Sequence, residues 1–325
     1  MHGKIVFLCL TLLLAAMACN LLAPGIPSAT PPPAETPTFP PIPSPSHSPT
    51  IPPIPPTQII ASPTNPPPVP SSTSAPTLPP PLPGNPYAVI LVAQNDVLNV
   101  RQAPDPNSTI LDRLPAQTIG VLLTGKQSWV GDQRWVEIQR SSGSVGWVNA
   151  HYLTEHVPAE VFCADPKVST LLSNLDQAVT RRDGNLLASL VSPAHGLNLT
   201  YFRTGNTANY SPEETKWVFE STYETNWGTH PASGMLVKGS FHEVVLPDLL
   251  DVLNSNYQAN CNNPSLGGSS YLFQWPYEYR NINFYSLYKA GSPGVALDWR
   301  TWLVGVEYFQ KQPYLFSLLH LFWEP

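Results

Sequence analysis

Residues 98–118 read LNVRQAPDPNSTILDRLPAQT, and this stretch indicates a small strand-rich unit. At its start Leu98 and Val100 alternate with Asn99 and Arg101, which is the two-residue period of a strand with one buried face. The two prolines of the following APDP remove backbone hydrogen-bond donors, so the strand ends before them. The stretch therefore predicts a strand, a proline loop and a second strand.

The same kind of pattern continues towards the C-terminus. Three more short apolar stretches follow, and polar turns separate them: TIGVLL, RWVEIQ and VGWVNAHYL. Five short strands in so few residues predict a small all-β barrel, which we place at residues 87–157.

The combination of NVR, a proline loop, WVEI and GWVNAHYL resembles the bacterial SH3-like domain. The resemblance implies a module that contacts cell-wall peptides or envelope proteins through a groove. Ala103 and Gln117 stand where the family often has glycine, which leaves the shape of two turns open. The residues at the groove positions are Asn99, Arg101, Trp135, Trp147 and Tyr152.

Each of these residues also has a purely structural interpretation. Because Trp147 lies in a GWV strand, we prefer its interpretation as part of the barrel core over a ligand platform. Arg101 could serve only to pair with a nearby carboxylate.

The first 19 residues indicate an export signal. Lys4 precedes IVFLCLTLLLAAMA, an apolar run that fits a signal-peptide core and is short for a membrane span. The run ends at Cys19 and resembles the bacterial lipoprotein signal, in which that cysteine is acylated, although Ala16 stands where leucine is usual. We therefore predict an extracytoplasmic protein anchored to the cell membrane by lipidated Cys19, with simple secretion as the alternative.

Residues 20–86 predict a disordered proline-rich stalk. They hold 26 of the 40 prolines of the chain and a single charged side chain, Glu35. Such a segment has too little apolar surface to offset the entropy of ordering. The formal net charge of the chain is −6, and no basic cluster extends beyond Arg181 and Arg182, so we expect no nucleic-acid partner.

The cysteines support export. Cys9 lies in the signal and Cys19 is the lipidation site, which leaves Cys163 and Cys261. A remaining pair in an oxidising compartment predicts a disulfide. Two cysteines without nearby histidines are a poor zinc site, and we expect neither a metal nor another cofactor.

Residues 158–325 predict an α+β domain in which helices precede an antiparallel sheet. Asp165 and Pro166 begin a helix, DGNLLASLVS continues as a second, and Ser211 with Glu214 has the spacing of a capping box. LPDLLDVLNSNY indicates a further helix. NINFYSLYKA indicates a strand, and the two apolar segments around QKQ indicate a long hairpin. The opening helices loosely resemble the nuclear-transport-factor-2-like cone, which implies helices packed on a curved sheet.

Two features of this domain bear on function. Trp299 and Trp302 are three apart, so on a strand they face opposite sides, and one belongs in a core. The other could stack on a sugar or a partner, although a role in filling a core is the preferred interpretation of these rings. Zinc-peptidase and G-x-S-x-G motifs are missing from the sequence. Glu243, Asp298 and Glu307 are the candidate carboxylates for a hydrolase because they border predicted strands.

Together these patterns predict a non-enzymatic binding protein of the cell envelope. Its expected partners are cell-wall peptide or an envelope protein, and the membrane through the lipid anchor. One alternative is an envelope hydrolase for glycan or peptide that uses the carboxylates of the last domain. Another is a spacer whose domains contact only identical chains.

Overall fold

The computed structural model describes residues 78–80, 83–268, 271–295 and 297–325. The predicted signal peptide, the predicted lipidation site Cys19 and the predicted stalk up to residue 77 lie outside the described residues. Within the described ranges, no helix is both long and apolar enough to cross a membrane.

Seven strands form the barrel region in a sheet ordered β3-β2-β6-β5-β4-β1-β7. Strands β2 to β6 are the five that the sequence predicts, whereas β1 and β7 are additional. The strands are β1 (Pro86–Val89), β2 (Val97–Arg101), β3 (Ile110–Pro115), β4 (Ile119–Val130), β5 (Gln133–Gln139), β6 (Val145–Asn149) and β7 (Leu153–Glu155).

One face of this sheet encloses the barrel core. Leu98 and Val100 of β2 are buried there, together with Val136 of β5 and Val148 of β6. The residues between them in sequence point to the other face, because side chains alternate along a strand. This confirms the alternation that the sequence predicts for β2.

Among the described residues of the C-terminal part there are five α-helices and eight strands, with a π-helical turn (Phe241–Val245) and a 3-10 turn (Tyr277–Tyr279). The helices are α1 (Ala159–Ala164), α2 (Pro166–Thr180), α3 (Gly184–Leu190), α4 (Pro212–Thr215) and α5 (Leu246–Leu253). The strands are β8 (Leu197–Thr200), β9 (Thr207–Tyr210), β10 (Thr225–Thr229), β11 (Leu236–Gly239), β12 (Gln258–Cys261), β13 (Asn283–Lys289), β14 (Arg300–Phe309) and β15 (Gln312–Phe322).

Local sequence explains where the helices begin. Asp165 accepts a hydrogen bond from the backbone N–H of Lys167 at the start of α2, and Pro166 occupies the first turn. Ser211 and Glu214 form the predicted capping box at the start of α4. These side chains satisfy N–H groups that have no partner inside a helix.

The C-terminal sheet departs from the predicted arrangement. Its six strands are ordered β12-β13-β14-β15-β8-β9, and β15 pairs with β8 in parallel rather than antiparallel. α4 and α5 lie between strands in the chain, and strands dominate the domain. The domain is therefore rich in β-structure, and a nuclear-transport-factor-2-like cone is not confirmed. Local patterns specify strands but not which strands become neighbours.

The predicted hairpin is present as β14 and β15, with Gln310 and Lys311 at its turn. Trp302 packs in the core beneath the helices, while Trp299 packs on the opposite face of the sheet. Both indoles are buried, as the preferred interpretation of them as core residues predicts, and neither is an exposed platform. The second face is buried because the loop that carries Trp275 covers it.

The predicted disulfide joins Cys163 of α1 to Cys261 of β12, with 5.8 Å between the Cα atoms. It fastens α1 to the edge strand of the C-terminal sheet across 98 positions of sequence.

The barrel and the C-terminal part belong to one compact unit. Ile90, which directly follows β1, is fully buried in an apolar cluster with Tyr279, Ile282 and Phe316 of the C-terminal part. The two regions therefore share core packing in addition to their chain connection.

Candidate ligand groove of the barrel

Four of the five residues predicted to bind ligand line a single groove of about 500 Å³. Asn99 and Arg101 come from β2, Trp135 comes from β5, and Tyr152 comes from the short 3-10 turn after β6. Three separate segments of the chain thus converge on one surface.

Trp135 is the most deeply placed of these residues. Its side chain is buried, and Val136 beside it points into the core instead. The indole Nε1 of Trp135 has no hydrogen-bond partner among the described residues. A buried indole N–H usually finds an acceptor, so this donor lacks the partner that its setting calls for.

Arg101 links the groove to the proline loop. Its guanidinium donates a hydrogen bond of 2.7 Å to the backbone carbonyl of Ser108. The Ser108 hydroxyl in turn accepts the backbone N–H of Ala103 at 2.8 Å. These bonds hold the loop so that Pro106 forms part of the groove wall. The partner of Arg101 is thus a carbonyl, and its other donors remain available.

Tyr152 closes the other end of the groove. The turn that carries it is capped by Asn149, whose side chain accepts the backbone N–H of His151 at 2.9 Å. The ring of Tyr152 packs against the barrel core and meets the ring of His151 edge to face. The cap and the core contact both fix its position.

Trp147, the fifth predicted residue, does not line this groove. It lies on β6 opposite Glu137 of β5 and Arg101 of β2. Its neighbour Val148 is fully buried in the core, and Trp147 is partly exposed on the other face. The preference for Trp147 as a core residue was therefore wrong, because both residues are apolar and the alternation alone does not say which one points inward.

Several groove residues escaped the sequence analysis: Asp96, Pro106, Gln133 and Asn149. Asn149 pairs with Trp135 across β5 and β6, and it shares a face with Trp147. Because every second residue of β6 lies on the same face, the sequence could have predicted Asn149 on the face of Trp147. Asp96 and Gln133 lie at strand ends, where no periodic signal marks them.

The groove offers a mixed set of polar groups. Arg101 supplies one positive charge and Asp96 one negative charge, while Asn99 and Asn149 add amides. Asp96 accepts the backbone N–H of Val97 at 2.7 Å, so it is partly committed. A peptide backbone, which carries both donors and acceptors and no net charge, matches such a lining.

The three candidate carboxylates for a hydrolase lie in separate settings. Glu243 caps a helical turn through Ser240, and Asp298 accepts hydrogen bonds from Ser292. These hydrogen bonds hold the pKa of Glu243 and the pKa of Asp298 below their usual values. Both groups therefore stabilise local turns as carboxylates.

Glu307, the third candidate, is buried at the contact between barrel and C-terminal part. Its Oε2 lies 2.8 Å from Nδ1 of His195 and 3.2 Å from the hydroxyl of Thr154 in β7. The second ring nitrogen of His195 lies 3.1 Å from the carbonyl oxygen of His151. Both nitrogens of the ring are thus engaged within the protein, which is the arrangement of a structural contact. In the described residues, no group of three or more His, Cys, Asp or Glu side chains is placed to hold a metal ion.

The comparisons with known proteins bear on the barrel alone. A family model described as bacterial SH3 domain matches residues 96–154. No curated protein and no solved structure matches the chain. The matched range begins just before β2, ends in β7 and contains the four residues that line the groove. Residues 96–154 are therefore a bacterial SH3 domain.

Proposed function

We propose that the groove of the bacterial SH3 domain binds peptide, either of the cell wall or of an envelope protein. The chain then acts outside the cytoplasm as a binding protein. The family match supports a cell-wall-binding module, and the groove supplies a surface for it.

One observation carries this proposal. Asn99, Arg101, Trp135 and Tyr152 come from different segments and meet in one groove, and the buried indole N–H of Trp135 has no partner among the described residues. A ligand carbonyl would satisfy that donor. The amides and the spare donors of Arg101 would hold further carbonyls of an extended peptide.

Lipid anchoring at Cys19 completes the proposal. An apolar run of signal-peptide length precedes this cysteine, and a proline-rich segment follows it. Such a segment would space the SH3 domain away from the membrane and towards the wall. Radiolabelled palmitate should enter the full chain and not the Cys19→Ser variant.

Co-sedimentation of the full chain with purified peptidoglycan tests the binding function. The full chain is the right material because Ile90 shares a core cluster with the C-terminal part, so separated domains would expose apolar surface. Arg101→Gln should reduce the pelleted fraction, because Arg101 lines the groove.

Arg113→Gln is the matched control for that variant. Arg113 lies on β3, directly opposite Asn99 of β2. Its side chain is exposed and does not line the groove. Equal loss in the two variants would indicate a general charge effect and would contradict binding in the groove. Failure of the parent chain to pellet would exclude the wall as the source of the ligand.

A further inference from the structure

A second cleft, in the C-terminal part, has a different chemical character. It lies among β9, α4, the turn that follows α4 and the start of β10, and its volume is about 710 Å³. We call it the acidic aromatic cleft and define it by Tyr210, Glu214, Trp217, Tyr223, Glu224 and Phe241.

The aromatic rings of this cleft lie on a firm base. Phe241 is buried at its floor and meets the rings of Tyr210 and Phe219 edge to face. Trp217 and Tyr223 are 57% and 76% exposed, which is far more than rings of this size usually show in a folded protein. The cleft is therefore lined by two exposed rings and one buried ring.

The charge at the cleft is negative. Glu214 and Glu224 line it, and no lysine, arginine or histidine does. The carboxylate of Glu224 has no hydrogen bond or ion pair among the described residues. Lys216 is the nearest cation in sequence, and Glu213 already pairs with it. An incoming cation would thus meet unneutralised carboxylates beside exposed rings.

The neutral polar groups of the lining are largely committed to the protein. The side-chain amide of Asn209 donates to the carbonyl oxygen of His195 and to Asn198. The side-chain oxygen of Asn226 accepts the backbone N–H of Gly228, and the hydroxyl of Ser221 accepts that of Tyr223. A sugar needs free groups of this kind for its hydroxyls, whereas an ammonium group needs carboxylates and ring faces.

We propose that the acidic aromatic cleft binds an organic ammonium group, carried on a small apolar chain, between Trp217, Tyr223 and the carboxylate of Glu224. The ring faces attract the cation through their quadrupoles, and the carboxylates add a Coulombic attraction. The apolar floor accepts the alkyl part of the ligand. Burial, together with Glu214 and Tyr223, raises the pKa of Tyr210, so this phenol keeps its proton.

Calorimetric titration of the full chain with choline tests this proposal. The matched control ligand is 3,3-dimethylbutan-1-ol, which replaces the charged nitrogen of choline by carbon and keeps its shape. Choline should bind and the alcohol should not. Trp217→Ala and Glu224→Gln should each weaken choline binding by roughly fivefold to thirtyfold.

Two variants control for general effects of the substitutions. Trp129→Ala removes an exposed indole of the barrel, and Glu220→Gln removes a nearby exposed carboxylate that does not line the cleft. Both should bind choline as the parent chain does. Because Trp217 and Glu224 are exposed, their variants should keep the fold, and circular dichroism checks this.

Three results would overturn the proposal. Equal binding of the alcohol would show that the cleft is merely apolar. Equal weakening by the control variants would place binding elsewhere. Absence of choline binding at the highest soluble concentration, with or without binding of an N-acetylglucosamine oligomer, would exclude an ammonium site. Choline binding in this cleft can be tested separately from peptide binding in the SH3 groove. Arg101 lines only the groove, so Arg101→Gln should leave choline binding unchanged.

Discussion

The carboxylate of Glu155, at the end of the barrel, accepts the backbone N–H of Gln310 at the tip of the C-terminal hairpin, with 2.8 Å between Oε1 and N. Its other oxygen accepts the backbone N–H of Lys311 at 3.1 Å. Both turn residues have positive φ angles, 53° for Gln310 and 60° for Lys311, which residues other than glycine rarely adopt. The barrel therefore holds the hairpin turn in a conformation that the hairpin sequence alone does not favour.

Replacing Glu155 should destabilise the whole compact unit. Glu155→Ala leaves two backbone N–H groups at a part-buried contact without their charged acceptor, which should cost about 1–3 kcal/mol of unfolding free energy. Urea denaturation of the full chain measures this. Glu160→Ala, at an exposed carboxylate of α1, is the control and should change little. Equal stability of Glu155→Ala and the parent would mean that the turn does not depend on the barrel.

The sequence could not predict this contact, because it joins residues 155 apart. QKQ indicates a turn by its polarity, but the partner that stabilises the turn belongs to another sheet. The strands β2 to β6 were predictable because each carries its own alternation and lies between clear turns. β1 and β7 were not, since both are short and are buried along most of their length, which removes the two-residue period.

A buried contact within the C-terminal part, at the same boundary, should also matter. His195 and Glu307 are both almost fully buried, and their side chains lie 2.8 Å apart. His195→Ala would leave a buried carboxylate without its main partner and should cost about 3–5 kcal/mol. A double-mutant cycle with Glu307→Gln, followed by urea denaturation, measures the coupling between the two side chains.

The ion pair between Lys216 and Glu213 is the control for this cycle, because both side chains are largely solvent-exposed. Its coupling should stay below about 1 kcal/mol. If the coupling between His195 and Glu307 were equally small, the buried pair would not contribute to the stability of the C-terminal part.

The buried His320 should make stability depend on pH. Its ring stacks between Trp302 and Phe322. Burial lowers the pKa of His320 from 6.5 to about 3, and Arg300 acts in the same direction. In the unfolded chain the imidazole regains its ordinary pKa, so below that value the unfolded chain binds a proton that the folded chain does not. Stability is therefore complete above about pH 6.5 and falls by up to about 1.4 kcal/mol per pH unit on acidification towards the folded pKa.

The variant His320→Leu isolates this effect. The leucine side chain has a volume similar to that of histidine, but it is apolar and does not titrate. Chemical denaturation at several pH values between those limits should show a smaller decline of the unfolding free energy than in the parent chain. An unchanged decline would mean that other groups control the acid sensitivity.

The disulfide offers a prediction that depends only on chain length. Cys163 and Cys261 close a loop across a sequence separation of 98. In the chain-entropy account, a loop of that size contributes about 4–5 kcal/mol of stability by restricting the unfolded chain. The double variant Cys163→Ser, Cys261→Ser should lose about that amount in urea denaturation. If the unfolding free energy fell by only about 1 kcal/mol, which is the contribution of a single hydrogen bond, the unfolded chain between the two cysteines would already be restricted without the disulfide.

The groove illustrates what a sequence can and cannot locate. Asn99, Arg101, Trp135 and Tyr152 were placed by the motif that resembles the bacterial SH3-like domain, and the structure brings them together. Trp147 fell outside the groove, although its motif is as distinct as that of Trp135. The difference lies in how β5, β6 and the following turn pack, which depends on contacts between strands distant in sequence.

The most direct test of the groove as the binding site uses the indole N–H of Trp135. With nitrogen-15 in the tryptophan indoles of the full chain, each indole N–H gives its own NMR signal, and Trp135→Phe identifies the one from the groove. Addition of soluble cell-wall peptide should shift the Trp135 signal strongly, because its unpartnered donor gains an acceptor, and should leave the signal of Trp217 unchanged. If the peptide binds while the Trp135 signal stays in place and another indole moves, the groove is not the binding site.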